Sequence, residues 1–466
     1  MGFAGPTRTL GGACTILLAC RVGAPLSQGT GGARARTGDA VSDVVAAPSN
    51  AGAEDGDATA RACPPIDAAK LAEFELDTQV LTIVPPPIVD DTHVLGHLYA
   101  RLVEIARGRA KDHVRIGVYG DSNMTMDYIT SAMRRALAAR FGDAGHGFVA
   151  LARPWQWYRH QDVRHDLQKP LWRMFATSTN HVSDGYYGFA NIAAETTTSG
   201  AVTWVETADD SAPMGTKCSR FDVYYLKRPR GGSFTIRVDG ADLRTVSTAA
   251  DGYEAGFEGV DVPDGPHKLE CVAGKGRVRL FGVTLERNPE PARYGVQVDS
   301  LGVGALNFEQ MTHVESTTRV QMLAHRKYDL VVFLIGTNMF APEYHATWVK
   351  QVLTDFRTAL PETPILILSP PDIVLHHVDL HSDPRIVRLA KQMKTIAAAE
   401  NAAFWDFRDA MGGDAAIQRF HRMHLAEPDR VHLSRDGGAV MGNRLVYAIF
   451  KDMQKWLPDH PDAGCP

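Results

Sequence analysis

The sequence predicts an α/β protein built on a parallel sheet, with a β-sandwich inserted into it. Three observations predict this. Continuous apolar runs bounded by turn residues, such as "DLVVFLIGTN" at 329–338, suit strands buried on both faces. Helical stripes alternate with such runs in the first part of the chain and again in the last. Between residues 151 and 290 the helical periodicity fades, and short β-rich runs separated by Gly- and Asp-rich turns take over.

Each element has its own justification. Val94, Leu98, Leu102 and Ile105 recur at helical spacing, with Gly108 just beyond as a stop. Val114–Tyr119 reads as a strand, Gly120-Asp121-Ser122 as a corner, and Ile129, Met133, Leu137 and Phe141 as the stripe of a helix ending at Gly142. The inserted stretch opens with "RPWQWYRHQD" and continues through "AVTWVE", "RFDVYYL", "SFTIRVDG", "HKLECVAG" and "RVRLFGVTLE". After "RYGVQVDSLGVGALN" the α/β pattern returns with "DLVVFLIGTN". A helix with Trp348, Val349, Val352, Leu353 and Phe356 on one face follows, then the strand "PILILSPPD". "IVRLAKQMKTIAAAEN" is a helix and "AAFWDF" a strand. The last helix has Ser434 as N-cap and the stripe Met441, Leu445, Ile449, Met453. No internal repeat is visible.

Composition narrows the class. The chain has 466 residues, 44% of them hydrophobic and 22% charged, enough for a full core. A net charge of −5 gives no basic footprint, so no nucleic-acid partner is expected. The longest apolar stretch is too short to span a bilayer. Arg8 followed by the apolar run Leu10–Ala19 reads as a signal peptide over 1–19. "LLAC" resembles a bacterial lipobox with Cys20 as the acylated residue, which makes a membrane a partner through an N-terminal lipid anchor. Residues 20–66, rich in Ala, Gly, Ser, Thr and Asp, read as a flexible tether. The expected organisation is therefore an exported, periplasmic or outer-membrane lipoprotein. Its α/β domain comes in two parts, 67–150 and 291–466, around a β-sandwich at 151–290.

The six cysteines are Cys14, Cys20, Cys63, Cys218, Cys271 and Cys465. The last four lack zinc-site spacing. In an exported chain they suit the bridges Cys218–Cys271 and Cys63–Cys465, with free buried thiols as the alternative.

Four polar punctuations fall where strands end or loops meet helices: Gly120-Asp121-Ser122, Gly302-Val303-Gly304-Ala305, Gly336-Thr337-Asn338 and Asp429-Arg430-Val431-His432. Ligands of open α/β sheets bind beyond the carboxyl ends of the strands, so these loops can converge. Their residue types fit acyl transfer. Ser122 is a candidate nucleophile, His432 its base, and Asp429 the group that orients the imidazole. The Ser122 and Gly304 amides and the Asn338 side chain are candidate oxyanion donors, with Gly302 the alternative to Gly304. This constellation calls for no metal and no cofactor.

In that order, Gly-Asp-Ser, a mid-chain glycine, Gly-x-Asn and Asp-x-x-His resemble the SGNH (GDSL) hydrolase superfamily. "GDSNMTMDYITSAMRRALAARFGDAGHGFV", "LGVGA", "LIGTN" and "DRVHLS" are similar to bacterial peptidoglycan O-acetylesterases that carry an inserted carbohydrate-binding-like β-sandwich. The similarity spans residues 94–453. It implies a flavodoxin-like three-layer SGNH fold and a Ser-His-Asp triad. It also implies removal of O-acetyl groups from a cell-envelope glycan, with an acetylated glycan as substrate partner. Two departures stand out. Asn123 occupies a position that is commonly His in those esterases, and "LGVGA" is one residue shorter than their Gly-x-Asn-Gly-Ala.

Rival readings remain open on sequence. One is a polysaccharide O-acetyltransferase with the same triad. Another is a non-catalytic glycan-binding envelope protein, which a blocked Ser122 would favour. His377 and His381 in "LHHVDLHSD" are four apart, but no helical pattern puts them on one face, so a loop above the pocket is preferred to a zinc site. Trp155, Trp157, Tyr186 and Tyr187 suit either a sandwich core or stacking on sugar rings.

Overall fold

Five parallel strands form the central sheet: β1 (Val114–Gly120), β2 (Val296–Gly302), β3 (Leu330–Leu334), β4 (Ile365–Leu368) and β5 (Ala403–Trp405). Their spatial order is β2-β1-β3-β4-β5, with every neighbouring pair parallel. This is the doubly wound, flavodoxin-like order. The computed structural model describes residues 65–465, apart from 77, 79, 80, 290–292 and 375–380. The expected signal segment, Cys20, the tether up to residue 64, Cys63 and His377 lie outside the described residues.

Every residue of β1, β2 and β3 is buried; β3 is apolar throughout, whereas β1 buries Arg115 and β2 buries Gln297, Asp299 and Ser300. Successive side chains enter opposite cores. Leu330, Val332 and Leu334 join one apolar cluster, and Val331 and Phe333 the other. Helices Gly96–Ala106, Tyr128–Phe141 and Arg435–Trp456 cover the first face through residues such as Leu102, Met133 and Leu445. Helices Ser316–Arg326, His345–Ala359 and Pro384–Ala399 cover the second through Met322, Val352 and Leu389. Gly142 ends the helix Tyr128–Phe141 at φ +102°, and Ser434 caps the last helix by accepting the Gly437 amide at 3.2 Å.

The sheet is interrupted after β1 and the helix Tyr128–Phe141. Antiparallel strands from Gly147–Ala150 to Val278–Glu286 form one six-stranded and one five-stranded sheet. The first and last of these strands pair with each other, Ala150 opposite Gly282, so the chain leaves and re-enters the α/β part at neighbouring points. The strand Glu254–Gly265 has no strand signature in its sequence, "EAGFEGVDVPDG". Its glycines make room for the partner strand: a Cβ on Gly256 would meet the Tyr225 ring at 2.4 Å, and one on Gly259 the Arg220 guanidinium at 2.1 Å.

The expected Cys218–Cys271 bridge does not form. Both thiols are free and buried, Cys218 on a strand of the six-stranded sheet and Cys271 on one of the five-stranded sheet. Strand alternation turned both inward without pairing them. Burial raises both thiols far above their ordinary range, which leaves them protonated and unreactive. Cys465 is disulfide-bonded.

A buried polar seam joins the inserted strands to the sheet. Asp299 of β2 accepts the Phe148 amide at 2.8 Å, the Tyr328 hydroxyl at 2.7 Å and Arg326 at 2.8 and 2.9 Å. Glu286, on the last inserted strand, accepts from Arg326 at 3.0 Å and from Arg115 of β1 at 3.3 Å. Burial opposes the charge on Asp299, but Arg326 outweighs it and holds the carboxyl below its usual range.

Candidate active site

The four punctuations meet at the carboxyl end of the parallel sheet. Gly120 closes β1 and lies in register with Gly302 on β2 and Leu334 on β3, so the segments that follow leave the sheet side by side. They are tied to one another. Val303 donates to the Gly120 carbonyl at 3.0 Å, the Thr337 amide to Asp121 Oδ2 at 3.3 Å, and Asn307 Nδ2 to the Asn338 carbonyl at 3.2 Å.

Ser122 opens a single turn of 3₁₀ helix, Ser122–Met124, capped by Asp121. Its hydroxyl lies 2.8 Å from His432 Nε2. His432 Nδ1 lies 2.6 Å from Asp429 Oδ2. The other carboxylate oxygen, Oδ1, accepts the Val431 and His432 amides at 2.9 and 3.0 Å. Arg430, between Asp429 and Val431, sits at φ +55°, a left-handed conformation that these bonds hold in place. Residues 310 apart in sequence are thus aligned in one hydrogen-bonded chain from Asp429 to Ser122.

Electrostatics suit a base. Burial disfavours a charged His432, but the hydrogen bond and charge of Asp429 outweigh it and raise the imidazole pKa above its ordinary value. Burial likewise opposes the charge on Asp429, and its bonds to His432 and the backbone hold it below the usual carboxylate range. Asp121 is fully buried, and burial raises its pKa.

Candidate donors lie on the neighbouring loops, which Asp121–Thr337 and Asn307–Asn338 bonds hold together. The Asn338 side-chain NH2 is buried and has no acceptor in the protein among the described residues. Such a buried donor is costly unless something else uses it. The two glycines differ. A Cβ on Gly302 would overlap the Met124 backbone at 2.5 Å, so this glycine serves close packing under the serine turn. Gly304 is backed instead by the Trp155 indole, 3.2 Å from where its Cβ would lie.

The other expected residues fall out separately. Trp157 is exposed, Tyr186 stacks on Tyr253 at 4.7 Å, and Tyr187 is buried with its hydroxyl accepting the Val182 amide at 2.8 Å. His381 Nδ1 lies 2.7 Å from Asp414 on the surface. Among the described residues one cluster has metal-ligand composition: Asp127, His146 and His160, with donor atoms within 4.8 Å of one another. Its carboxylate is already engaged by Arg134 at 3.1 and 3.2 Å, the Gln161 amide at 2.8 Å and the Thr130 hydroxyl. A divalent ion there would press against a buried guanidinium. The cluster instead fastens the inserted segment to the turn after Ser122, where Arg159 also donates to the Thr125 carbonyl at 3.0 Å.

Sequence reasoning gave no role to Asp121, Asn123 or Met124. Each acts through backbone atoms of distant loops, which carry no side-chain signature.

A sequence model of the GDSL-like lipase/acylhydrolase family matches residues 274–440, a stretch that holds Gly304, Asn338, Asp429 and His432 but not Ser122. A solved peptidoglycan O-acetylesterase superposes with a TM-score of 0.66 at 23% identity, covering 79% of this chain and 99% of the other. A family two carbohydrate esterase from Cellvibrio japonicus matches at 11% identity and a TM-score of 0.26, over 63% of this chain and 99% of its own. One from Clostridium thermocellum, solved with cellohexaose, gives 12% and 0.27 over 62% and 99%. No curated protein matches the sequence significantly. The fold is that of the SGNH hydrolases, with antiparallel sheets inserted after the first strand and helix.

Proposed function

We propose that this SGNH-fold chain is a serine esterase that removes O-acetyl groups from a cell-envelope glycan, with peptidoglycan the first polymer to test. The observation that carries the reading is the Asp429–His432–Ser122 chain, at 2.6 and 2.8 Å, beside the unpartnered amide of Asn338. Ser122 Oγ attacks the acetyl carbonyl and passes its proton to His432 Nε2. The oxyanion takes hydrogen bonds from Asn338 Nδ2 and the Ser122 and Gly304 amides. As the sugar–oxygen bond to the acetyl carbon breaks, His432 returns the proton to the leaving sugar oxygen. Water, deprotonated by the same imidazole, then releases acetate from Ser122. Asp429 keeps the proton of the neutral ring on Nδ1 throughout.

The likeness to a peptidoglycan O-acetylesterase supports the substrate class, and the partly open position of Ser122 supports catalysis over glycan binding alone. "LLAC" supports export and anchoring through Cys20, with the tether carrying the enzyme away from the membrane. A wild-type chain that partitions into detergent no better than Cys20→Ser would remove the anchor.

The deciding experiment incubates the protein, and Ser122→Ala as control, with acetylated peptidoglycan and with other acetylated polysaccharides. Released acetate that depends on Ser122 supports the esterase. Transfer of acetyl to an added sugar without acetate would make it an acyltransferase, and neither product from any polymer would overturn the reading.

A further inference from the structure

We infer that Asn123 is a positioning residue that clamps the His432 loop onto the nucleophile turn. The inference rests on the esterase reading and deepens it. Asn123 is 6% exposed and directly follows Ser122. Its Oδ1 accepts the Leu433 amide at 2.9 Å, and its Nδ2 donates to the Val431 carbonyl at 3.4 Å. One amide group therefore holds the backbone on both sides of His432.

The loop needs such a tie. The Glu427 amide donates to the His432 carbonyl at 2.8 Å, the Ser434 amide to the Leu425 carbonyl at 3.1 Å, and Asp429 accepts two amides of its own loop, while Arg430 Nε donates to Gln418 Oε1 at 2.7 Å and anchors the loop to the helix Ala416–Arg422 rather than to the nucleophile turn. Apart from the Ser122–His432 contact, the two bonds of Asn123 are those that join residues 427–433 to residues 120–124 among the described residues. Ser122 lies on a strand end and His432 on a loop 310 residues later, so nothing in local chain geometry brings them to 2.8 Å.

The same turn indexes the oxyanion side. Asp121 Oδ1 accepts the Asn123 amide at 3.1 Å, while Oδ2 takes the Thr337 amide beside Asn338 at 3.3 Å. The two neighbours of the nucleophile thus set the base and the candidate oxyanion donor relative to it. An amide is well suited to the Asn123 position because it offers an acceptor and a donor without charge. A carboxylate there would lose the bond to Val431 and place a further negative charge near the imidazole, beside Asp429, Asp121 and Glu427.

The test compares Asn123→Leu and Asn123→Asp with wild type. The readouts are kcat and KM on 4-nitrophenyl acetate, the pH profile, the rate of Ser122 labelling by a fluorophosphonate, and Tm. Misplacing a reacting group by about 1 Å costs on the order of 10²-fold, so Asn123→Leu should lower kcat about 10- to 100-fold with KM little changed. Phosphonate labelling should slow by a similar factor, since it also needs His432 aimed at Ser122. Asn123→Asp keeps the acceptor for Leu433, so its kcat should stay well above that of the Leu variant, with the acid limb moved to higher pH. Wild-type kcat in Asn123→Leu would overturn the inference, as would equal loss in both variants or a loss confined to KM. A wild-type protein inert to both the ester and the phosphonate would overturn the esterase reading itself, and this inference with it.

Discussion

Replacing Asp429 by Asn tests the triad at the level of a single proton. The two oxygens of Asp429 have different duties. Oδ1 accepts the Val431 and His432 amides at 2.9 and 3.0 Å, and Oδ2 faces His432 Nδ1 at 2.6 Å. An asparagine has one acceptor oxygen, and the two backbone N–H groups claim it. Its NH2 must then point at Nδ1. The neutral imidazole responds by accepting at Nδ1 and carrying its proton on Nε2, 2.8 Å from Ser122 Oγ. His432 is still in place, but it now offers a proton where it must take one. A wrong tautomer of this kind costs about 10⁴-fold in kcat, or about 5 kcal/mol at roughly 1.36 kcal/mol per decade. The substitution also removes the charge that raises the His432 pKa, so any residual activity should have its acid limb at lower pH. The assay is kcat and kcat/KM on 4-nitrophenyl acetate across the histidine range, with folding checked by circular dichroism. A folded Asp429→Asn protein within about tenfold of wild type would refute the tautomer argument.

If the buried Asn338 amide serves the proposed oxyanion, Asn338→Ala should cost about 10²–10³-fold in kcat with little change in KM; an equal rise in KM would place it on ground-state substrate instead. His432 must be neutral to act and its pKa is raised, so kcat/KM should climb with pH through a midpoint above about 6.5, and a midpoint below that value would contradict the Asp429 contact. The raised pKa also means that the charged, inactive form is the one His432 stabilises; that contribution is present at low pH and fades as pH rises through the folded-state value. Trp157→Ala should weaken turnover on polymer and spare 4-nitrophenyl acetate, whereas Trp155→Ala, which unbacks Gly304, should lower kcat on both. Equal behaviour of the two tryptophans would deny Trp155 a part in the proposed oxyanion role of Gly304.

What was legible in the sequence has a physical cause. β3 is covered by helices on both faces, so its residues are apolar throughout, and such a run is easy to read; β1 is buried likewise but carries Arg115 near its start, paired with Glu286. The convergence of Ser122, His432 and Asp429 was legible because acyl transfer needs particular residue types, and the alignment at 2.8 and 2.6 Å is what the structure adds. The strand Glu254–Gly265 was not, because its glycines answer to Tyr225 and Arg220 on the neighbouring strand rather than to any propensity. Nor could periodicity say whether Cys218 and Cys271 would meet, since it reports which face a residue takes and not its distance from the opposite sheet. Gly302 and Gly304 look alike in sequence but differ in what lies over each Cα: the Met124 backbone over one and a tryptophan from the inserted segment over the other. Asn123 stood out in the sequence only as a departure from a resemblance, because its partners are backbone atoms and backbone atoms are the same everywhere.

The insertion after β1 also bears on how the chain acquires its shape. Both neighbours of β1, β2 and β3, lie on the far side of the inserted strands, and the contact of Gly295 with His113 just ahead of them spans 182 residues. Until those later segments exist, β1 keeps two unpaired apolar edges, which invite association with other chains. Within the insert, Ser233–Val238 pairs with both Ala241–Ser247 and Lys268–Ala273, partners much nearer in sequence than those of β1. Long-range parallel pairing pays its loop-closure entropy before any contact rewards it, so it comes late and slowly. Refolding of this protein should therefore protect amides of Ser233–Val238 and Lys268–Ala273 before those of β1, and the proposed hydrolysis of 4-nitrophenyl acetate should return only with the second, slower event.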